Sequence, residues 1–252
     1  MRPAIVVTGA SAGLGRAIAK VAASEGEPVV LIGRSSQALA EAADEMRAAG
    51  GEPFTLAVDL TSAGAADEIE NLLTEQRLWC AVLVNCAGYA VHGPTSAAQL
   101  GVLDLNIRAL TDLTLRFLPH MIARGGRGVI NLGSVASFIP GPYMALYYAS
   151  KAFVYSFSEA LWEEMRHTGV IVTCVAPGPL KTGFLVTSGA YHTPLFKLLP
   201  RLSADRVAQA AWRDFKAGRR LSVPGGTAKI SAFAAKHLPH VFSLPLLSRL
   251  QR

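Results

Sequence analysis

Residues 3–22 of the chain read PAIVVTGASAGLGRAIAKVA. The apolar run over residues 3–7 predicts a strand, and residues 16–22 have the apolar spacing of a helix. The turn between them has the pattern T-G-x-x-x-G-x-G and ends at Gly15. Glycines here permit a tight turn and let the backbone approach a pyrophosphate at the N-terminus of the helix. An ordinary strand–helix turn rarely needs three glycines, so this stretch predicts a dinucleotide site.

Strand and helix patterns continue to alternate as far as residue 224. Apolar and β-branched runs predict further strands at 28–32, 53–58, 81–84, 128–133, 170–175 and 220–224. Helical patterns occupy most of the intervals between them. With 252 residues and no repeat or linker, we expect a single α/β unit. We divide it into a main α/β domain over residues 1–227 and an amphipathic tail over residues 228–252 that extends the same domain.

The composition argues against several classes of protein. Hydrophobic residues make up 51% of the chain and charged residues 17%, which excludes a disordered chain. The first apolar run breaks at Thr8-Gly9, so we expect no signal peptide, and no apolar run is long enough to span a bilayer. The net charge of +6 comes from scattered cations without a basic block, so we expect no nucleic-acid partner.

The cysteines and histidines bear on metals and on the compartment. Cys80, Cys86 and Cys174 have no CxxC spacing and lie in apolar or strand-like runs, which is typical of buried free thiols in a reducing compartment. The six histidines show no HxxxH pairing. We therefore expect a cytoplasmic protein without a protein-held metal.

The residues that end the second strand bear on the choice of cofactor. A site selective for NAD places an acid here to bind the ribose 2′-hydroxyl. Gly33 stands there instead, and Arg34 follows it. Because an arginine pairs with a 2′-phosphate, we expect NADP(H). NAD(H) is the alternative, in which Arg34 is only a solvated loop residue.

A tyrosine and a lysine share one face of a predicted helix that starts near residue 146. Tyr147 and Lys151 stand at positions i and i+4, and Ser134 closes the fifth strand. A nearby ammonium lowers the pKa of a phenol toward the range of acid–base catalysis, while a hydroxyl holds a carbonyl oxygen. Tyr155 also lies four residues from Lys151, but Tyr147 is nearer the helix start, where a substrate has access. The alternative is an ordinary half-buried helix face.

Polar and small residues follow several of the other strands. Asp59 ends the third strand, where it either contacts adenine or caps the next helix. After the fourth strand, small residues would let a ribose lie against the backbone, and Asn85 would brace the turn. Asn106 lies inside a predicted helix, either in a structural polar contact or at a kink that holds a water. Thr182 and the Pro-Gly at 177–178 would fix the nicotinamide end.

Taken together, these motifs resemble the short-chain dehydrogenase/reductase family in its NADP-preferring form, over residues 3–224 or so. The matching residues are TGASAGLG at 8–15, Asp59, NCAG at 85–88, Asn106, Ser134, Tyr147 with Lys151, and Pro177-Gly178 with Thr182. The resemblance implies a doubly wound, Rossmann-type parallel sheet of seven strands in the order 3-2-1-4-5-6-7, flanked by helices.

The resemblance also implies roles for individual residues. Tyr147 would be the general acid and base, and Lys151 would lower its pKa and hold the nicotinamide ribose. Ser134 would orient the carbonyl, and Asn106 would support a proton-relay water. The cofactor contacts that we infer are Gly9, Ser11, Gly13, Leu14, Gly15, Arg34, Asp59, Leu60, Asn85, Ala87, Gly88, Tyr147, Lys151, Pro177, Gly178 and Thr182.

Two positions depart from the family pattern. Cys86 stands where Asn is usual, and Ala12 stands where NADP enzymes often have a basic residue. The second departure leaves the 2′-phosphate contact to Arg34 and Ser11. The function that we predict is an oxidoreductase that interconverts a carbonyl and an alcohol on a small hydrophobic molecule. The alternatives are an NADP-binding regulatory protein and a membrane-surface protein without significant turnover.

Two segments outside these motifs are rich in apolar residues. Residues 183–202 are loop-like and predict a mobile lid over a hydrophobic substrate. The tail contains no acid, and its cations flank an apolar helical stripe at residues 230, 233, 234 and 238. The stripe would cover its own subunit, pack on a second subunit or lie on an anionic membrane. Because prolines at 239 and 245 break a long helix, we favour a subunit or pocket contact over a membrane, and we expect a homodimer or homotetramer.

Overall fold

The computed structural model describes residues 1–252, except for the side chain of Phe242. The strands are β1 (Arg2–Thr8), β2 (Pro28–Gly33), β3 (Glu52–Ala57), β4 (Leu78–Asn85), β5 (Gly128–Leu132), β6 (Ile171–Val175) and β7 (Leu221–Ser222). They form one parallel sheet of seven strands in the order β3-β2-β1-β4-β5-β6-β7. The predicted fold class and strand order are therefore confirmed.

Helices connect the strands and lie on both faces of the sheet. The helices of the described chain are α1 (Gly13–Ala23), α2 (Ser36–Ala48), α3 (Ala65–Glu75), α4 (Gly101–Leu103), α5 (Leu110–Arg124), α6 (Ala145–Glu164), α7 (Phe184–Thr187), α8 (Pro194–Leu198), α9 (Ala204–Lys216), α10 (Gly226–His237) and α11 (His240–Leu250). Short 3-10 turns at Ala97–Gln99 and Val135–Phe138 complete the connections.

The position of β1 in the middle of the sheet explains why its sequence is an unbroken apolar run. Ile5, Val6 and Val7 of β1 are completely buried, because helices cover both faces of a parallel sheet. β1 pairs with β2 on one side and with β4 on the other, so the chain reverses its direction of winding across the sheet at this strand. Such a reversal opens a crevice at the carboxyl ends of the strands, where ligands bind in this architecture.

Two apolar layers hold the helices on the sheet. On one face, Leu39 of α2 and Phe215 of α9 pack into a cluster with β1 side chains. On the other, Ile69 of α3 and Phe117 of α5 pack against the opposite side of the sheet. All four of these side chains are nearly or fully inaccessible to solvent. Their burial makes the sheet a rigid base for the loops at its carboxyl edge.

Several predicted elements differ from the observed ones. The segment 183–202, expected to be a loop, contains α7 and α8. The prediction that Pro245 breaks the tail helix is wrong, since α11 continues through it although a proline has no N–H for the carbonyl of Val241. The break at Pro239 is present, between α10 and α11. The expected division at 227/228 falls inside the first turn of α10.

Among the described residues, no helix combines the length and the apolar character needed to cross a bilayer. Within the same part of the chain, no group of three or more His, Cys, Asp or Glu side chains gathers where it would hold a metal ion.

Candidate active site

A cleft of about 780 Å³ opens at the carboxyl edge of the sheet, a size usual for small-molecule sites. The predicted site residues that line it are Gly9, Ser11, Gly13, Leu14, Gly15, Arg34, Asp59, Leu60, Ala87, Gly88, Ser134, Tyr147, Lys151, Pro177, Gly178 and Thr182. These residues come from the ends of different strands, so the fold brings together motifs that are far apart in the sequence.

The glycine-rich turn lies against the loop after β4. Gly9 has φ +66°, and a Cβ atom there would lie 2.9 Å from the Cα atom of Ala87. A Cβ atom on Gly15 would lie 2.2 Å from the carbonyl oxygen of Gly9. No side chain fits at either position without moving the backbone. The turn is therefore tight because both positions are glycine.

The N-terminus of α1 faces the cleft without a side-chain cap. Ala12 precedes the helix and makes no side-chain hydrogen bond to it, and the first turn contains no acid. The first backbone N–H groups and the positive end of the helix dipole are thus available to an anion. These features fit the pyrophosphate of a dinucleotide cofactor.

The far end of the cleft carries one cation and one acid. Arg34 is exposed directly after β2, and Asp59 is exposed after β3. The Oδ1 atom of Asp59 accepts hydrogen bonds from the Thr61 amide at 2.9 Å and from the Thr61 hydroxyl at 2.8 Å. These bonds lower the pKa of Asp59, with a smaller contribution from Arg34. Asp59 therefore closes a local turn while it lines the cleft, and Gly64 rather than Asp59 precedes α3.

Ser134, Tyr147 and Lys151 converge at the middle of the cleft. Ser134 begins the 3-10 turn after β5, and its hydroxyl accepts from the Ala136 amide at 3.1 Å. Tyr147 lies in the first turn of α6, and the Lys151 Nζ atom lies 5.8 Å from the centre of its ring. The Lys151 ammonium donates to the carbonyl oxygen of Leu132 at 2.7 Å.

The electrostatics of this group differ from the expectation. Burial raises the pKa of Tyr147 to about 12, and a hydrogen bond with Ser134 offsets only part of the rise. Burial also lowers the pKa of Lys151 to about 8. The lowering of the Tyr147 pKa that the sequence predicts from Lys151 is not found in this structure, because desolvation of the phenol raises that pKa.

Asn85 is not brought to the cleft lining. Its side chain is buried and donates hydrogen bonds to Thr114 and to Asn131, both at 2.9 Å. The turn after β4 is braced instead by Thr8, whose hydroxyl accepts from the amides of Cys86 and Ala87 at 3.0 Å. The side chain of Asn85 therefore holds β4 to its neighbours, and Thr8 makes the bracing contact predicted for Asn85.

Asn106 lies in an irregular part of its helix, as expected. Residues Asp104–Ala109 form a π-helical segment between α4 and α5. The Asn106 side chain is buried, accepts from the Tyr89 amide and donates to the Tyr89 carbonyl, both at 3.0 Å. It also donates to Ser150 of α6 at 3.1 Å. Its side chain thus joins the loop after Gly88 to the tyrosine helix, and the water-holding role stays a prediction.

Apolar side chains that the motifs do not include form the other end of the cleft. Phe184 and Leu185 of α7 and Phe196 of α8 line it, and the Phe184 ring centre lies 5.5 Å from that of Tyr147. The position predicted for the segment 183–202 over the site is therefore confirmed. The apolar side chains of its two helices make this end of the cleft suitable for an apolar part of a ligand.

The C-terminal end of the chain also reaches this region. Gln251 is buried, and its amide nitrogen donates to the hydroxyl of Tyr148, a cleft residue, at 2.6 Å. Its backbone oxygen lies 2.6 Å from the Nε2 atom of His92. This contact could not be predicted from the sequence, because 103 residues separate Gln251 from Tyr148 and no pattern joins them.

Comparison with known proteins agrees with this geometry. The sequence profile described as "short chain dehydrogenase" matches residues 3–191. The chain belongs to the short-chain dehydrogenase/reductase family. It is 36% identical to sulfoacetaldehyde reductase 2 of Chromohalobacter salexigens, over 83% of this chain and 86% of that protein.

Two solved structures of similar proteins contain a nucleotide. A short-chain dehydrogenase from Sphingobium yanoikuyae in complex with NADPH is 28% identical, with TM-score 0.81 over 99% of this chain and 97% of that one. A family member from Burkholderia phymatum in complex with NAD is 24% identical, with TM-score 0.83 over 100% and 96%, and shows the fold alone.

Family membership settles the class of reaction. The protein is a dehydrogenase that uses a pyridine nucleotide and reduces carbonyls or oxidises alcohols on small molecules. The glycine-rich turn and the uncapped start of α1 are the parts of this chain that fit the nucleotide. A cofactor-binding protein without turnover is the less fitting alternative.

Proposed function

We propose that the protein is an NADP(H)-preferring oxidoreductase that interconverts a carbonyl and an alcohol on a hydrophobic substrate, with Tyr147 as general acid and base. The observation that carries the proposal is the convergence of Tyr147, Ser134 and Lys151 in the cleft that also contains the glycine-rich turn. When bound, the nicotinamide cofactor supplies or accepts the hydride.

The side chains supply the proton and the orientation. With its pKa raised by burial, the Tyr147 phenol keeps its proton near neutral pH. It would donate this proton to the carbonyl oxygen during the reaction. The Ser134 hydroxyl, which lines the same cleft, would donate a second hydrogen bond to that oxygen. The Lys151 ammonium would bind the nicotinamide ribose and stabilise the phenolate that remains after the transfer.

The preference for NADP(H) rests on the charges after β2. Arg34 lines the cleft, is exposed, and forms no ion pair with a carboxylate within 4.0 Å among the described side chains. Gly33 leaves no acid at the end of β2 to repel a 2′-phosphate. Ser11 lies beside Gly33, since a Cβ atom on Gly33 would be 3.2 Å from the Ser11 hydroxyl. That hydroxyl would add a hydrogen bond to the 2′-phosphate.

The hydrophobic character of the substrate rests on the apolar end of the cleft. Phe184, Leu185 and Phe196 surround the space next to Tyr147. A substrate with an aromatic or aliphatic group beside its carbonyl would bury that group here. Turnover on ketones that differ only in the size of this group tests the point: kcat/KM should rise with apolar size.

Assembly and compartment complete the proposal. A homodimer or homotetramer is supported by exposed apolar side chains on α5 and α6, namely Leu115, Ile122 and Phe153. A cytoplasmic location is supported by three buried free thiols. A monomer in sedimentation velocity would contradict the proposed oligomer. An exported protein in cell fractionation would contradict the proposed cytoplasmic location.

The Tyr147→Phe variant tests the acid–base assignment. We expect it to keep the fold and the affinity for NADPH and to lose turnover by about 10²–10⁴-fold, because the phenol proton is used only in the reaction. Tyr155→Phe is the matched control. That hydroxyl bonds Lys236 at 3.2 Å and does not line the cleft, so its removal should leave turnover unchanged. Near-normal turnover of Tyr147→Phe would refute the assignment.

The Gly33→Asp, Arg34→Gln double variant tests the cofactor preference. The new carboxylate repels a 2′-phosphate and the lost arginine no longer pairs with it, so the NADPH:NADH ratio of kcat/KM should fall by about tenfold or more. Arg47→Gln, which removes an exposed arginine paired with Asp44 on α2, should leave the ratio unchanged. Equal use of both cofactors by the unaltered enzyme would contradict the proposal before any variant is made.

A further inference from the structure

The outward side of the C-terminal helices is apolar. Ile230 and Phe233 of α10 are 72% and 66% exposed, and Val241 and Leu246 of α11 are 71% and 55% exposed. Leu238, which connects the two helices, is 45% exposed. We call these five side chains the tail face. A single exposed apolar residue is ordinary, but five in the short stretch 230–246, with Ile230 and Phe233 three residues apart on one face of α10, mark a surface that binds another molecule.

The part of the tail face on α10 is not the side of that helix that packs on the domain. α10 packs on the rest of the domain through its opposite side, where Ala228, Ala232 and Ala235 are buried. Ala228 lies next to Gly178, and the Lys236 ammonium donates to the Tyr155 hydroxyl at 3.2 Å. The helix is therefore held with the predicted apolar stripe pointing to solvent. Of the three alternatives for the stripe, this excludes the one in which it covers its own subunit.

The charge around the tail face has a single sign. Lys229 and Arg249 are exposed in the two helices, whereas Lys236 and Arg252 bond Tyr155 and Tyr143 of the domain. Residues 226–252 contain no Asp or Glu. The ion pairs of the described residues all use other cations. The charges of Lys229 and Arg249 are therefore not neutralised by side-chain carboxylates of the same chain.

Exposed apolar side chains beside uncompensated cations fit an anionic lipid surface better than a second copy of the chain. A second copy of the chain in a two-fold contact would bring the same cations against one another, and no acid there would compensate them. An anionic lipid surface attracts the cations and accepts Phe, Ile, Leu and Val side chains at the boundary of its acyl chains. We propose that the tail face binds an anionic membrane surface, with α10 and α11 lying in the plane of the interface.

The tail face is joined to the substrate end of the cleft. α11 contacts α8, which lines the cleft through Leu195 and Phe196. The residue after α11, Gln251, bonds Tyr148 of the same cleft. A molecule that binds a bilayer through the tail face therefore keeps this end of the cleft close to the lipid, where hydrophobic ketones and alcohols concentrate. Membrane binding itself does not depend on the proposed reaction.

Co-sedimentation of the full-length protein with vesicles tests the proposal. Vesicles of pure phosphatidylcholine are compared with vesicles of equimolar phosphatidylcholine and phosphatidylglycerol, at low and at physiological salt. We expect partition to the anionic vesicles to be stronger by about tenfold or more, and to weaken with salt. Lys229→Gln should reduce the partition coefficient by about fivefold, since one surface cation is lost.

Variants of the tail face separate a membrane from the other partners. Ile230→Ser and Phe233→Ser change exposed side chains, so they should fold normally and lose most of the partition. Leu100→Ser, which changes a side chain that is 55% exposed outside the tail, should bind like the unaltered protein. The proposal is overturned if the unaltered protein does not bind anionic vesicles, or if Phe233→Ser leaves partition unchanged and instead dissociates an oligomer. Turnover on a water-soluble ketone without vesicles tests the reaction separately.

Discussion

Replacing Lys151 with methionine should make the protein more stable near neutral pH while it abolishes turnover. The ammonium is buried, and its only bonded partner among the described groups is the carbonyl oxygen of Leu132 at 2.7 Å. Burial lowers the pKa of Lys151 from 10.5 to about 8, since the charged form loses its water. The folded protein thus holds a charge that burial disfavours, at a position where the proposed reaction would use it.

The size of the effect follows from the pKa. At about 1.4 kcal/mol per pKa unit, the charge lowers the free energy of unfolding at neutral pH by about 3 kcal/mol relative to an unperturbed lysine. Methionine has a similar length and no charge, but it leaves the Leu132 carbonyl without its donor, which costs about 1 kcal/mol. We therefore expect Lys151→Met to raise the free energy of unfolding by about 2 kcal/mol.

The sign of the pH dependence distinguishes this cause from better packing. Below about pH 8 both states hold the proton, so the destabilisation is complete. Between about pH 8 and 10.5 the unfolded state holds more protons than the folded one, so the stability of the unaltered protein rises with pH. The variant lacks this rise, so its advantage should shrink by about 2 kcal/mol between about pH 7 and about pH 9.5.

Urea unfolding of both proteins at the two pH values measures the difference between their free energies of unfolding. The contributions of the other titrating groups cancel in this difference because both proteins contain them. Lys20→Met, which replaces an exposed lysine on α1, is the control and should change the free energy of unfolding by less than about 0.5 kcal/mol. A Lys151→Met variant that is less stable than the unaltered protein at both pH values would refute the reasoning, because the ammonium would then be stabilised by its surroundings.

Further predictions concern the two ends of the cleft. Gly9→Ala should weaken NADPH binding by about tenfold or more in a fluorescence titration, because the new methyl group meets the Ala87 backbone at 2.9 Å. Gly26→Ala, with similar φ but no neighbour within 4 Å, should leave NADPH binding unchanged. Gln251→Leu should raise KM for the substrate severalfold and leave kcat and the NADPH Kd nearly unchanged, since it frees the Tyr148 hydroxyl; a change confined to kcat would contradict this. A chain cut after Thr227 should still bind NADPH but show the same loss of substrate affinity or a changed oligomer size.

Local patterns predicted the fold and much of the site well. The glycine-rich turn and the buried strands could be identified because a tight turn needs glycine and a strand covered on both faces is apolar throughout. Tyr147 and Lys151 could be placed on one face of a helix because residues four positions apart in a helix share a face. The strand order came from the family resemblance and agrees with the structure. Element ends differed by a few residues, and α7 and α8 were missed because they are single turns held by tertiary contacts.

Tertiary structure decided the properties that depend on where a side chain points and what surrounds it. Asn85 turns away from the cleft because Thr114 and Asn131 offer it buried partners from other elements. The pKa of Tyr147 is raised, not lowered, because its desolvation depends on the whole cleft and not on the lysine four residues away. The tail illustrates the same limit: its sequence specifies an apolar helical stripe, but the alanines on the other side pack on the domain and leave Ile230 and Phe233 in solvent. Periodicity tells which residues share a face, and only long-range packing determines whether that face is buried.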